Sequence, residues 1–145
     1  AGAVDDVVAA LVAAHPYEEP VYDVIARRGE AGFVGRVGTP KGLDTVDALA
    51  ETVSSELGGV VRVAGDGPVG TVAVVPGSGA DFMRAARRAG ADVIVTGDVR
   101  HHAAREAVES GLAVIDPGHI ATERPGVRRL YAAVARAVPA VMDLT

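Results

Sequence analysis

The chain has no cysteine. That excludes disulfides and thiolate ligands, so any metal would have to be met by His, Asp, Glu and water. Aromatic residues make up 3% of the 145 residues. A core must then be built from Val, Ala, Leu and Ile, and no aromatic platform exists for stacking nucleic-acid bases. Positive charge is scarce too. The formal net charge is -5, and apart from the pair Arg27 and Arg28 the first half carries no basic cluster. Without a Lys/Arg-rich run we expect no nucleic-acid partner. No apolar run approaches the roughly 18 residues that span a bilayer, and the start lacks the basic and hydrophobic regions of a leader. We therefore expect no membrane association and a cytoplasmic protein. Solenoid repeats and low-complexity tracts are also missing.

What is present is a hydrophobic content of 49%, enough for one domain-sized core in one or two small domains. The stretch that organises the chain is residues 89–123, AGADVIVTGDVRHHAAREAVESGLAVIDPGHIATE, which holds three of the four histidines. DVIVTGD is a continuous apolar run of strand length, as in a strand buried on both faces of a parallel sheet. HHAAREAVES predicts a helix that Gly111 stops. LAVID predicts a second buried strand, ended by Pro117 and Gly118 before a helical segment begins at His119.

Strand, helix, strand with short connections is a parallel crossover unit, and ligands in such sheets sit beyond the carboxyl ends of the strands. Asp98, His101 and His102 follow the first strand; Asp116, His119 and Glu123 follow the second. Two turns thus deliver acids and imidazoles to one edge, in a pattern suited to metal ligation. His119 and Glu123 are four apart and, if helical, share a face on which they could hold one cation, or one each of two neighbouring cations. The plainer alternative is a surface pair, with Glu123 favoured by the positive end of a helix.

The motifs TGDVRHHAA and GLAVIDPGHIATERP, with GSGADF upstream and HPYEEPVYDV near the start, resemble the dinuclear metal-centre proteins of the YbgI type. These are also known as NGG1-interacting-factor-like proteins or GTP cyclohydrolase 1 type 2 homologues. The resemblance covers nearly the whole chain. It implies a core of two α/β lobes facing a cleft with two divalent metals, and hexameric ring assembly. It implies further that residues 33–145 are the second lobe, and that residues 1–32 are the tail of an inserted ferredoxin-like, PII-like domain. By motif position His119 and Glu123 are the metal ligands of this lobe. Asp98, His101 and His102 border the cleft as candidate catalytic groups. The other ligands, a histidine pair and an aspartate, belong to the first lobe. Zinc, manganese or iron, two per complete site, should then bind weakly or not at all to this chain alone.

Taken in order, residues 3–14 carry a helical apolar stripe that Pro16 ends. HPYEEP turns the chain, and residues 21–26 alternate as a strand would. His15, Glu18 and Glu19 are either a small metal or proton-transfer cluster or a rigid turn between prolines. A strand remnant without its usual sheet partners could recruit a neighbouring chain. FVGRVGTP, residues 33–40, predicts a short strand, and residues 43–57 a helix capped by Asp44 and ended by Gly58 and Gly59. VVRVAG and GTVAVV predict strands. PGSGAD then leads into a helix over residues 80–89, where Ser78 with Asp81 reads as a capping box, while the exposed amides of Gly77 to Ala80, with Ser78 and Gly79 as the binding residues, could instead hold an anion. Pro125 suits the first turn of a C-terminal helix, and AVMDL predicts a final strand.

Two functions fit these residues. One is a metal-dependent hydrolase-like protein whose cations activate water towards a small polar or phosphorylated substrate. The alternative is a non-enzymatic oligomeric scaffold with structural metals.

Overall fold

The computed structural model describes residues 2–25, 34–138 and 142. The chain divides into two compact units, residues 1–32 and 33–145. In the first, α1 (Gly2–Ala14) ends at the HPYEEP bend. Residues 21–25 correct the expectation of a strand there, because they are not in one, and Val21 is 99% exposed. Alternation alone does not make a strand; it needs a neighbour to take its N–H and C=O groups. Ala26 and the AVMDL expectation, Met142 apart, fall outside the described residues.

The second unit is built on a five-stranded mixed sheet of order β1-β3-β4-β5-β2. Its strands are β1 (Arg36–Gly38), β2 (Arg62–Ala64), β3 (Val72–Ser78), β4 (Val93–Gly97) and β5 (Ala113–Asp116). The inner three run parallel, with Val72 opposite Val93 and Val93 opposite Ala113, while β1 and β2 flank them antiparallel. The apolar runs of β4 and β5 are buried at every position because helices cover both faces. On one face α3 (Met83–Arg88) and α4 (His101–Glu109) place Met83, Ala86 and Ala107 against Ala73, Ile94 and Val114. On the other, α2 (Val46–Leu57) packs Val46 and Leu49 on Val93, Val95 and Ile115. α5 (His119–Ala137) lies against β3 and β4. The fold class is α/β, with a parallel-containing sheet and helices on both faces.

Four local expectations are corrected. Thr45, not Asp44, caps α2: its Oγ1 accepts the Ala48 N–H at 3.2 Å, while the Asp44 carbonyl is engaged by Val69 N–H at 2.9 Å. β3 runs past Val75 to Ser78 through a register shift, because Pro76 has no N–H for the ladder. Ser78 is therefore a strand residue opposite Gly97 and makes no capping box; the 3-10 turn Ala80–Phe82 begins at Gly79 without a side-chain cap. Finally, Pro125 lies inside α5 and starts no separate helix. It is the seventh residue of that helix, and its missing N–H leaves the usual bond to the Ala121 carbonyl unmade.

Candidate metal centre at the sheet edge

Because β3, β4 and β5 run parallel, the turns leaving them open on one edge. The turn after β4 brings Asp98 and the turn after β5 brings His119, the first residue of α5. The two turns touch. A Cβ on Gly97 would lie 2.6 Å from the His119 backbone nitrogen, so only glycine lets β4 end this close to the start of α5. Asp98 has a left-handed backbone, φ 57°, a region that Asp tolerates better than most residues.

From there the Asp98 carboxylate meets His119, Oδ2 to Nδ1, at 2.7 Å. One helical turn further on, Glu123 Oε1 stands 3.2 Å from His119 Nε2. The imidazole thus lies between two carboxylates. Its pKa is raised above 6.5, chiefly by the hydrogen bond to Asp98 and then by the charges of Glu123 and Asp98, against some desolvation.

Two of these groups, an imidazole nitrogen and a carboxylate oxygen, are of the kinds that bind divalent cations. Asp98 holds Nδ1 and Glu123 faces Nε2, so a cation at Nε2 would replace the proton shared there with Glu123, while a carboxylate on the other ring nitrogen is the arrangement metal-binding histidines generally use. A nitrogen and a carboxylate oxygen 3.2 Å apart also match the roughly 3.4 Å edge of a tetrahedron built from metal–ligand bonds of about 2.1 Å. No group of three or more His, Asp or Glu side chains that could hold a metal is found among the described residues, and Asp98 engages the opposite ring nitrogen.

The floor of this pair is Gly77, with φ 71°; a Cβ there would lie 2.8 Å from Glu123 Oε1 and 3.3 Å from His119 Nε2. Two threonines hold it. Thr122 Oγ1 accepts the Gly77 N–H at 2.8 Å and donates to the His119 carbonyl at 2.7 Å, while Thr96 Oγ1 donates to the Gly77 carbonyl at 3.1 Å. Neither threonine stands out in the sequence as a site residue, since each acts on Gly77 from 19 or 45 residues away. Asp116 is the other residue whose role the sequence does not disclose. It ends β5 fully buried, with Val99, Gly118 and Arg62 donating to it.

His101 and His102 open α4 with their rings edge to face, centroids 5.8 Å apart. Among the described residues neither bonds to Asp98, His119 or Glu123. Ser78 is exposed at the end of β3, and Gly79 packs tightly on Thr96 and Val75. In the first unit, His15 Nδ1 accepts the Tyr17 N–H at 3.1 Å and makes no bond to Glu18 or Glu19.

The profile of the family described as Duf34/NIF3 (NGG1p interacting factor 3) matches residues 4–145. The chain belongs to this family. It is 42% identical over 123 residues to the GTP cyclohydrolase 1 type 2 homolog of Halalkalibacterium halodurans, a match over 81% of this chain and 33% of that protein. The Bacillus subtilis protein of the same name is 41% identical over 130 residues, 85% of this chain and 35% of that one. Among solved structures, a Bacillus cereus protein related to NIF3 superposes with a TM-score of 0.66 at 37% identity, covering 92% of this chain and 39% of its own. Protein ybgI, of unknown function, gives 0.64 at 32% identity over 75% of this chain and 45% of its own. This Duf34/NIF3 chain thus spans about a third of the length of the curated relatives it matches.

Proposed function

We propose that this Duf34/NIF3 chain supplies part of a metal-dependent, hydrolase-like centre, with His119 Nε2 and Glu123 Oε1 as ligands for zinc, manganese or iron. The observation that supports it is the imidazole gripped at Nδ1 by Asp98, with Nε2 facing the Glu123 carboxylate 3.2 Å away. A divalent cation bound there supplies Lewis acidity towards water and towards a carbonyl or phosphoryl oxygen. The chain's own residues do the rest. Asp98 fixes the ring and its tautomer. Thr122 and Thr96 hold the backbone of Gly77, whose lack of a side chain leaves the space beside the ligands open. Ser78, exposed on the same edge, meets an anionic group of a small polar or phosphorylated substrate, with Gly79 giving the close turn behind it. His101 and His102 move protons at the mouth of the cleft.

A catalytic zinc takes three protein ligands, and two are offered here. The complete centre, with two cations, therefore draws donors from outside these residues, and affinity in this chain alone is low. The names of the relatives make GTP the first substrate to try. Turnover of GTP, other nucleotides and simple phosphoesters by a full-length protein that carries both lobes, with and without added metal, tests the reading. We expect metal-dependent turnover that E123Q and H119A abolish; turnover indifferent to both substitutions contradicts it.

A scaffold role is the second reading, favoured by the surface of α5. Leu130 is 64% exposed and lines an open, mainly apolar groove of about 600 Å³ together with Leu57, Val74, Val95, Val127 and the site residue Glu123. Such an apolar groove suits homo-oligomeric contact, a hexamer by the family resemblance.

A further inference from the structure

Asp116 is a carboxylate 2% exposed at the end of an otherwise apolar strand. A charge there is tolerated only if its oxygens are met by donors. They are. Oδ1 accepts the Gly118 N–H at 2.8 Å, and Oδ2 accepts the Val99 N–H at 2.9 Å and an Arg62 guanidinium N–H at 2.6 Å. Arg62 stands directly opposite Asp116 in the antiparallel β2–β5 pair, so the sheet register itself brings the cation to the acid.

The two backbone donors are the significant ones. Val99 is the residue after Asp98, and Gly118 the residue before His119. One carboxylate therefore ties together the two turns, 21 residues apart in sequence, whose side chains meet at 2.7 Å. Its oxygens are occupied and its side chain is covered, so Asp116 is not itself placed to ligate a cation. We propose that Asp116, held by Arg62, is a positioning residue that sets the separation of the β4–α4 and β5–α5 turns and thereby makes the Asp98–His119 contact possible. This rests on that contact as part of the proposed centre, yet it concerns the protein without metal and can fail or stand independently of metal binding.

The test is nitrogen-15 and proton NMR of this chain without metal, comparing the parent with D116N, and with D98A to identify the signal lost when the contact is removed. Asparagine keeps the shape but offers one acceptor oxygen in place of two. We expect the parent to show a His119 Nδ1 proton signal, and D116N to shift the Val99 and Gly118 amide protons and to lose that signal, as D98A does, with the amides of Val93, Ile94 and Val95 unmoved; a parent without the signal also overturns the proposal. Retention of that proton in folded D116N overturns the proposal, whether or not the two amides shift. If D116N does not fold, R62M answers the question, since it keeps the carboxylate and both backbone donors. Loss of a charged hydrogen bond to the carboxylate should speed exchange of the His119 Nδ1 proton about tenfold or more. An exchange rate equal to the parent's overturns the proposal.

Discussion

Asp98 adopts a left-handed backbone, φ 57°, and from it places its carboxylate 2.7 Å from Nδ1 of His119. Among the described residues it is the one non-glycine with positive φ. That conformation costs of order 1–2 kcal/mol in a residue with a Cβ, and the contact with His119 is what it achieves. D98G should therefore leave stability within about 1 kcal/mol of the parent, since relief of backbone strain offsets the lost bond. The same substitution should weaken zinc binding by about 10- to 100-fold, as loss of a carboxylate behind a ligand histidine typically does. Urea unfolding and zinc titration separate the two effects; unchanged zinc affinity in D98G would sink this role for Asp98.

The raised pKa of His119 has a definite sign in stability. The Asp98 hydrogen bond and the two nearby carboxylates favour the imidazolium in the folded state. The associated stability is fully present below the unfolded value of about 6.5 and is lost as pH rises through the folded value above it. The difference in Tm between the parent and H119Q should shrink as pH climbs through that window. D98N should move the window down towards 6.5. Zinc affinity should rise over the same range, because the metal must displace the proton on Nε2. A pH-independent Tm difference contradicts the assignment.

Gly77 and Thr122 make a pair of predictions about the floor of the site. G77A puts a Cβ 2.8 Å from Glu123 Oε1 at a residue with φ 71°, so it should destabilise by about 1–3 kcal/mol and displace the glutamate. T122V leaves the Gly77 N–H without its acceptor, a cost of about 1–3 kcal/mol, while sparing both ligands. Denaturant midpoints check both. A G77A variant as stable as the parent would mean that the loop carries no such constraint.

Several of these features were legible in the residues. The apolar runs around Ile94 and Ile115 have strand length and end in turn residues, so burial on both faces and a parallel crossover follow from pattern alone. The edge carrying Asp98, His119 and Glu123 follows from topology. The strand expected over residues 21–26 does not form among those described, because periodicity cannot supply a pairing neighbour. Thr45 and Asp44 are both good caps, and only the engagement of the Asp44 carbonyl by Val69 decides between them. Ser78 reads as a cap because the sequence does not reveal that Pro76 shifts the register without ending β3. Asp116 reads as one more acid at the edge until its burial and three donors are seen.

The surface of α5 and its groove predict self-association. Light scattering from micromolar to millimolar concentration should show species larger than a monomer, and L130E, at an exposed position on the groove wall, should shift them towards monomer. A monomer throughout would remove the scaffold reading.

The measurement that bears most directly on the proposed centre is calorimetric titration of this chain with zinc, repeated for H119A and E123A. Weak binding that each substitution abolishes, with H101A close to the parent, is the predicted result. Tight binding unaffected by either H119A or E123A would place the metal elsewhere and contradict the account.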